Sequence, residues 1–386
     1  MNISIPQKMT LTVFSIKLNI HQVYLADELY KLLGLGFRFV ELLCVDANKG
    51  GNAFDNRPYL ICSWRSEDER NRAYCYAQLS DVCIFSGIES LPFQKERLKK
   101  NLLSFEMSER LLKRGIWNAL SPKLLLNQWY YHTQWYNREL YKLCCGAFVA
   151  KDQYYLHSFK GRCFKFGYFT KVEQLNILEV KKEKDERIKI LWCARFLKWK
   201  HPEMMIGLAK RMKQNGIDAE INMIGNGELY EKIQEQIIEH NLSDFIILHG
   251  NIPNEDVLKQ MKQSDIFVLT SDKQEGWGAV VNEAMGNGCC VVCSDAVGCA
   301  PFLIKDGNNG LLFKSKDTES LYERVMYLVM HQEERIRLSQ NAYSTISEEW
   351  SPKKAAENLV CLAHDLIEGG DTSIEKGPCS KAYPIH

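Results

Sequence analysis

Short apolar, β-rich runs alternate with helical stretches through the second half of the chain. The runs lie at residues 188–194, 219–225, 245–250, 266–271 and 290–294. Helical patterns fill the intervals, near residues 202–214, 228–240, 254–263 and 279–288. Strands separated by helices of this length form parallel βαβ units, so the pattern predicts a doubly wound α/β sheet. Ligands of such sheets bind at the carboxyl ends of the strands, and the loops after the strands are therefore the candidate functional loops.

The first half of the chain is less regular. Apolar runs predict strands at residues 11–16, 37–45 and 81–86, and a helix over residues 23–33. The aromatic-rich residues 106–146 predict a helical stretch. Residues 170–187 are polar and end in a charged run, which predicts an interdomain linker. We therefore expect domains at 1–172 and 188–345, joined by a linker at 173–187.

A capped helix is predicted near the end of the chain, within residues 346–370. Ser351 and Pro352 suit an N-cap and the first helical position, and apolar residues recur at helical spacing until Gly369 and Gly370. Residues 371–386 have no apolar period, and we expect a disordered tail there.

Length and composition limit the class of protein. The chain has 386 residues, 46% of them hydrophobic and 25% charged, which is typical of a globular protein with two domains. We expect no membrane-spanning helix, because no apolar run reaches about 18 residues. Residues 1–18 lack the apolar core of a signal peptide, so we expect a cytoplasmic protein with reduced cysteines.

Among the 14 cysteines, one Cys-x-x-Cys pair, Cys290 and Cys293, lies inside a predicted strand, and no second pair accompanies it. A redox pair would be expected at the start of a helix instead. We therefore expect buried free thiols and no metal site.

Charge is distributed unevenly along the chain. Residues 1–172 contain 24 Lys and Arg against 15 Asp and Glu, whereas residues 173–386 contain 25 against 33. The two halves are therefore expected to meet different partners. The basic residues form no dense tract, and we expect no nucleic-acid partner.

The stretch from Glu275 to Met285 reads EGWGAVVNEAM and follows an apolar run. Gly276 and Gly278 thus fall in a strand-to-helix loop, where backbone N–H groups can approach a ligand and the helix N-terminus favours a diphosphate. One of the carboxylates of Glu275 and Glu283 could accept hydrogen bonds from a ribose and the other from a sugar. Alternatively, Glu283 supports the helix N-terminus and Glu275 is a solvated loop charge.

Two further loops carry candidate ligand groups. Arg195 and Lys200 follow the predicted strand at 188–194, and two cations at this spacing can converge on one pyrophosphate, unless both are surface charges. Gly225-Asn226-Gly227 follows the next strand and resembles the start of a dinucleotide fingerprint. Tyr230 occupies the place of the third glycine, which argues against a nicotinamide dehydrogenase.

These residues together resemble the family-4 (group 1) glycosyltransferases. In chain order, the shared features are Arg195 and Lys200, Gly225-Asn226-Gly227, His249-Gly250, Asp265 and Ser271, Glu275 and Glu283, Ser294-Asp295, Gly298, Pro301, Asp306-Gly307 and Gly310-Leu311. The resemblance covers roughly residues 188–315. The stretch 275–285, followed by PFLI at 301–304, is similar to bacterial polysaccharide-assembly transferases.

The resemblance implies the GT-B fold, with two Rossmann-like α/β domains facing a cleft and a C-terminal helix that crosses back to the N-terminal domain. It implies a retaining enzyme that uses a nucleotide-diphosphate sugar and needs neither a metal nor another cofactor. Glu283 would bind the donor ribose and Glu275 the transferred sugar, while Arg195 and Lys200 would neutralise the leaving diphosphate. The remaining donor-binding residues would be Gly225, Asn226, Gly227, Gly276, Trp277, Gly278 and Ala279.

The N-terminal domain would bind the acceptor, a hydroxyl of a glycan or a lipid-linked oligosaccharide. Many relatives carry a glycine-rich loop after the first strand, whereas residues 17–22 contain no glycine. His21, just before the predicted helix, either lines the cleft near the acceptor as a catalytic group or is a capping or structural residue. The cluster from Glu106 to Arg110 either approaches the acceptor or forms an exposed first helical turn.

Two other functions remain open: a catalytically silent nucleotide-sugar-binding partner, and a sugar-nucleotide epimerase on the same fold. The sequence also favours reversible contact with the inner, anionic membrane surface. Lys99, Lys100, Arg110, Lys113 and Arg114 precede a stretch that contains Trp117, Trp129, Tyr130, Tyr131, Trp135, Tyr136 and Tyr141. Such residues are typical of membrane interfaces, although aromatic side chains also fill protein cores.

Overall fold

The chain divides into two compact units. Unit 1 contains Met1–Thr170 and Trp350–His386, and unit 2 contains Lys171–Glu349. The computed structural model describes residues 9–44, 54, 56–177 and 187–385. Residues 178–186 of the expected linker lie outside this range, as does Val45 at the end of an expected strand.

Unit 1 contains a parallel seven-stranded sheet in the order β3-β2-β1-β4-β5-β6-β7. Its strands are β1 (Leu11–Ser15), β2 (Phe37–Glu41), β3 (Leu60–Cys62), β4 (Val82–Phe85), β5 (Ser104–Ser108), β6 (Leu140–Cys145) and β7 (Cys163–Phe166). The helices between them are α1 (Ile20–Leu33), α2 (Glu67–Leu79), α3 (Leu91–Lys99), α4 (Pro122–Tyr131) and α5 (Val149–Tyr155). The strands β1 and β4 are buried along their whole length, as expected for a parallel sheet with both faces covered.

The helical stretch expected over residues 106–146 is wrong at both of its ends. Residues 104–108 and 140–145 are β5 and β6, and the only α-helix among the residues between them is α4. Glu106 of β5 and Lys142 of β6 form an ion pair with a distance of 2.7 Å between Oε1 and Nζ, and the Lys142 side chain is fully buried. The two charged residues of this pair thus interrupt the apolar pattern by which a buried strand is recognised in a sequence.

Unit 2 contains a parallel six-stranded sheet in the order β10-β9-β8-β11-β12-β13. The strands are β8 (Ile188–Cys193), β9 (Ala219–Ile224), β10 (Ile246–Gly250), β11 (Ile266–Leu269), β12 (Cys290–Ser294) and β13 (Leu311–Phe313). The helices are α6 (Glu203–Gln214), α7 (Tyr230–Glu239), α8 (Asn254–Gln263), α9 (Ala279–Gly286), α10 (Ala300–Leu303), α11 (Thr318–Met330) and α12 (Gln332–Ser344). Both units therefore have a doubly wound α/β architecture, and the predicted fold class is confirmed.

The chain returns to unit 1 at helix α13 (Pro352–Ile367), which packs against α1. Ser351 caps the helix by accepting a hydrogen bond of 3.2 Å from the N–H of Lys354. Apolar side chains at helical spacing, Ala355, Leu359, Leu362 and Leu366 among them, are buried. The expected crossing of the C-terminal helix back to the N-terminal domain is thus confirmed.

The tail expected to be disordered is ordered over residues 371–385. Its backbone pairs with β7 through hydrogen bonds from Lys165 N–H to Ser380 O (2.8 Å) and from Cys379 N–H to Lys165 O (2.7 Å). Cys379 and Ser380 are buried. The tail needs no apolar period, because backbone groups along the sheet edge hold it.

Cys290 and Cys293 lie in β12, where both side chains are buried and form no disulfide bond. Within the described ranges, no group of three or more His, Cys, Asp or Glu side chains could hold a metal ion. In the same ranges, no helix has the length and apolar character needed to cross a membrane.

Candidate active site

The order of strands in unit 2 creates a crevice between β8 and β11. The strands β9 and β10 continue the sheet on one side of β8, whereas β11, β12 and β13 continue it on the other. The direction of winding therefore reverses at this point, and the loops after β8 and β11 diverge at the carboxyl ends of the strands. Open α/β sheets bind their ligands at such a point.

Lys200 and Glu275 meet at this crevice. Lys200 follows β8, Glu275 follows β11, and the Lys200 ammonium forms a salt bridge with the Glu275 carboxylate. Their side chains are only 10% and 12% exposed, respectively. Glu275 is therefore not the solvated loop charge of the alternative interpretation. The pair places a cation and a carboxylate next to each other at the switch point, 75 residues apart in sequence.

Arg195 also follows β8, but its side chain is exposed and forms no salt bridge with any residue that the structure describes. Of the two cations expected to converge on a diphosphate, the structure thus pairs Lys200 with Glu275 and leaves the Arg195 guanidinium open to solvent. A guanidinium without an internal partner keeps all of its donors for a ligand.

The loop Gly225-Asn226-Gly227 packs against the loop that carries Arg195. The N–H of Phe196 donates a 3.0 Å hydrogen bond to the Asn226 carbonyl oxygen. Gly227 has a φ of +157°, and a Cβ at this position would lie 2.7 Å from the Phe196 carbonyl oxygen. Glycine is therefore required for close contact between two loops at the strand ends. Donor binding by this loop stays a prediction.

The glycine-rich turn before α9 is also tightly packed. Gly278, with a φ of +95°, is the N-cap residue of α9, and Gly298 lies against the Gly276 carbonyl oxygen. The Trp277 indole is fully buried and donates a 2.9 Å hydrogen bond from Nε1 to Asn282 Oδ1. The side chain of Trp277 therefore anchors the turn, and only its backbone remains for the expected contact with a donor.

Glu283 lies in the second turn of α9, as expected, and its side chain has no hydrogen-bond or ion-pair partner among the described residues. Burial raises the pKa of Glu283 to about 7. Burial, and then the negative charge of Glu283, raise the pKa of the Cys193 thiol at the end of β8. Glu283 thus lies close to the same crevice as a carboxyl group that titrates near neutral pH, which is uncommon outside functional sites.

Asp272 was not identified from the sequence, although it connects three loops at the site. Its Oδ2 lies 3.3 Å from His201 Nε2 and 3.1 Å from Lys316 Nζ. Its backbone N–H donates to the Trp199 carbonyl oxygen, and its own carbonyl oxygen accepts from the N–H of Glu275. Asp272 therefore fixes the loop of Lys200 relative to the loop of Glu275. The only sequence signal is an acidic residue three positions before Glu275.

The charges and hydrogen bonds around Asp272 and His201 favour the ionised forms of both side chains. Burial alone would raise the pKa of Asp272, but the N–H of Gln274, the Lys316 ammonium and His201 together hold it below the ordinary value. Hydrogen bonding to Glu203 and then to Asp272 raises the pKa of His201 against the opposing effect of burial. His201 also has a left-handed backbone, with a φ of +51°, which these contacts stabilise.

His21 belongs to unit 1 and lies in the first turn of α1 rather than just before the helix. Its N–H donates to the side chain of Asn19, which is the N-cap residue, so His21 is not the cap. The His21 ring stacks on Tyr168 with 5.6 Å between the centroids, at the edge of an apolar cavity that both residues line. Burial lowers the pKa of His21, which favours a neutral imidazole near pH 7.

The cluster from Glu106 to Arg110 has partners within unit 1. Glu106 and Ser108 both contact the Lys142 ammonium, Glu109 accepts a 2.9 Å hydrogen bond from the Tyr168 hydroxyl, and Arg110 pairs with Asp152 at 2.9 Å. The expected exposed helical turn is therefore wrong, because Glu106 and Ser108 lie in β5 and the next two residues directly follow that strand. The structure assigns them a packing role and leaves an acceptor contact as a prediction.

Comparison with known proteins shows which family unit 2 resembles. Residues 173–345 match the family described as glycosyl transferases group 1. A poly(glycerol-phosphate) alpha-glucosyltransferase of Bacillus subtilis (strain 168) is 28% identical over 151 residues, which cover 39% of this chain and 22% of the relative. An N,N'-diacetylbacillosaminyl-diphospho-undecaprenol alpha-1,3-N-acetylgalactosaminyltransferase of Campylobacter jejuni is 36% identical over 87 residues, which cover 22% of this chain and 23% of the relative.

The match to such curated relatives spans less than half of their length. The fold is similar over nearly the whole chain to the crystal structure of Anabaena Alr3699/HepE in complex with UDP, with a TM-score of 0.71 at 12% identity, covering 93% of this chain and 100% of that one. The segment from residue 173 to residue 345 is therefore similar to the group 1 glycosyl transferases, within a chain that has the GT-B fold.

Proposed function

We propose that the protein is a retaining glycosyltransferase that moves a sugar from a nucleotide-diphosphate donor to a hydroxyl group of a glycan or a lipid-linked oligosaccharide. The observation that carries this proposal is the meeting of Lys200 and Glu275 at the switch point of unit 2, together with an unpaired Arg195 and a partly buried Glu283. Cations for a diphosphate and carboxylates for hydroxyl groups are thus present at one crevice.

The proposed reaction breaks the bond between the anomeric carbon and the diphosphate oxygen and forms a bond from that carbon to the acceptor oxygen on the same face. The acceptor proton passes to the leaving diphosphate. Arg195 and Lys200 stabilise the negative charge that grows on this group, and fixed charges of this kind need little reorganisation during the reaction. Glu275 accepts hydrogen bonds from the transferred sugar, and Glu283 accepts them from the ribose.

The first experiment is a thermal-shift screen of purified protein with the diphosphates of uridine, guanosine and cytidine, since a ligand that binds the folded state raises the melting temperature. Uridine diphosphate is the first candidate, because crystal structures of HepE contain UDP and UDP-glucose. The matching nucleotide sugar is then tested for consumption. A protein that binds the donor but neither transfers nor hydrolyses it would be a silent binding partner, and one that only inverts a sugar centre would be an epimerase.

The ionisation of Glu283 makes a pH dependence measurable. Ribose hydroxyl groups donate to a carboxylate better than to a carboxylic acid, so we expect the Kd for UDP to rise about tenfold per pH unit below about 7, as expected for one proton. Calorimetric titrations from pH 5.5 to pH 8 test this. The Glu283→Gln variant should lack this pH dependence of the Kd for UDP and lose most of its turnover.

The Gln variant also separates binding from folding. A buried carboxyl with a raised pKa lowers the unfolding free energy as pH rises from its unfolded pKa towards about 7. Glu283→Gln should therefore be at least as stable as the wild type at pH 8. An identical pH dependence of UDP binding in the wild type and in Glu283→Gln would show that Glu283 is not part of the donor site.

We further propose that no metal ion or other cofactor takes part, because Arg195 and Lys200 supply positive charge at the diphosphate. Treatment with EDTA should change the transfer rate by less than about twofold. Loss of activity in EDTA that Mg²⁺ or Mn²⁺ restores would contradict this part of the proposal.

The proposed acceptor class is supported by the name of one relative. The name of the Campylobacter jejuni relative states a lipid-diphosphate acceptor. We propose that this protein works in the synthesis of a surface polysaccharide, at the cytoplasmic side of a membrane with which it makes reversible contact.

A further inference from the structure

Helix α4 exposes the side that its sequence pattern would be expected to bury. Leu125, Leu126 and Trp129 lie on one side of the helix, at the i, i+3 and i+4 spacing of an apolar face. Their exposed fractions are 49%, 66% and 54%. Just before the helix, Trp117 and Leu120 are 82% and 68% exposed. We call these five residues the α4 face.

The aromatic residues of this region are therefore divided between surface and interior. Trp117, Trp129, Tyr130 and Tyr136 are exposed, whereas Trp135 and Tyr141 are partly buried. The alternative in which the aromatic side chains fill the core of unit 1 is wrong for the first four. An exposed apolar area with several large side chains usually marks a binding surface.

The charged residues of the chain segment that carries the α4 face are of one sign. Residues 110–138 contain five basic residues and no Asp or Glu. Three of them, Arg114, Lys123 and Arg138, are exposed and have no ion-pair partner among the described residues. The flanking acids are engaged, because Glu109 pairs with Lys113 and Glu139 accepts a hydrogen bond from the Tyr141 hydroxyl. The surface therefore combines Trp and Leu side chains with unneutralised cations.

We propose that the α4 face is a docking surface for an anionic lipid bilayer. Tryptophan and leucine enter the headgroup and upper acyl region, while exposed Lys and Arg are attracted to anionic headgroups. Cations alone would suit a nucleic acid, and apolar side chains alone would suit a second copy of this chain, but an anionic bilayer uses both. The inference deepens the proposed function and rests on it for its purpose, which is access to a lipid-linked acceptor.

Vesicle sedimentation tests the surface without a sugar donor. Full-length protein is mixed at low salt with vesicles of phosphatidylcholine alone or with 30% phosphatidylglycerol, a composition chosen as roughly that of an anionic leaflet. We expect binding to the anionic vesicles only, and weaker binding at higher salt because the attraction is screened. Failure to sediment with anionic vesicles at low salt would overturn the proposal.

Matched variants identify the side chains responsible. The double variant Leu126→Gln/Trp129→Gln should bind at least tenfold more weakly, whereas Leu35→Gln/Leu79→Gln, at leucines that are 83% and 78% exposed outside the α4 face, should bind like the wild type. Arg114→Gln/Lys123→Gln should reduce affinity about 30-fold, at about fivefold for each charge.

The charge control is Lys160→Gln/Lys353→Gln, because both lysines are exposed in unit 1 and lie outside residues 110–138. Equal binding of the face and control variants would overturn the proposal. Dimer formation in solution that disappears in Leu126→Gln/Trp129→Gln, without vesicle binding, would assign the surface to a second copy. Transfer to a soluble acceptor is measured separately, so failure of the membrane inference leaves the test of the proposed function intact.

Discussion

Replacing Arg195 with alanine is expected to lower kcat for sugar transfer by a factor of about 10² to 10³, the usual cost of removing one charge-stabilising group. The guanidinium is exposed and has no ion-pair partner among the described residues, so its removal breaks no internal contact that we observe. The unfolding free energy should therefore change by less than about 0.5 kcal/mol. Steady-state kinetics and thermal unfolding of the same preparation measure both effects.

Lys198→Ala is the matched control for this variant. Lys198 lies three residues further along the same loop, and its side chain is also exposed. General loss of positive charge near the crevice would affect both variants equally, whereas a specific contact with the diphosphate affects only Arg195. Turnover of Arg195→Ala equal to that of Lys198→Ala would exclude Arg195 from the reaction.

Replacing Lys200 with methionine is expected to affect both folding and activity. The variant leaves the nearly buried Glu275 carboxylate without its cation, which costs about 3 to 5 kcal/mol in known buried pairs. Turnover should fall with stability, because the same ammonium is proposed to face the diphosphate. Chemical denaturation measures the first effect, and transfer assays well below the melting temperature measure the second.

The double variant Lys200→Met/Glu275→Gln separates the two effects. It contains no uncompensated charge at this position, so we expect it to recover much of the lost unfolding free energy and none of the activity. The exposed pair of Lys259 and Asp256 provides the control, since Lys259→Met should leave the unfolding free energy almost unchanged. Recovery of turnover in the double variant would show that the pair is structural only.

The sheet of unit 2 could be predicted from the sequence because its strands form nearly continuous apolar runs, as expected where the central strands β11 and β12 are buried on both faces. The strand β12, from Cys290 to Ser294, is buried at every position. In unit 1, by contrast, Glu106 and Lys142 neutralise each other within neighbouring strands. A charged residue in an apolar run argues against a strand unless its partner is known, and this partner is 36 residues away.

The residues of the candidate site also fall into two groups, those that the sequence indicates and those that it does not. Arg195, Lys200, Glu275 and Glu283 were identified because each follows a strand that could be recognised locally. Asp272 and His201 were missed because their importance comes from contacts between loops that are 71 residues apart in sequence. The environment of Trp277 was missed for a similar reason, since burial of its indole depends on packing that no local pattern indicates.

The return of the chain to unit 1 has a consequence for protein synthesis. Helix α1 packs on α13 within unit 1, but α13 is translated only after the whole of unit 2. Unit 2 is continuous and can therefore fold on the ribosome as soon as residue 349 has emerged. Until α13 emerges, the surface of α1 that it covers remains open to chaperones and to premature contacts. The unit whose residues are translated first is consequently the last to be completed.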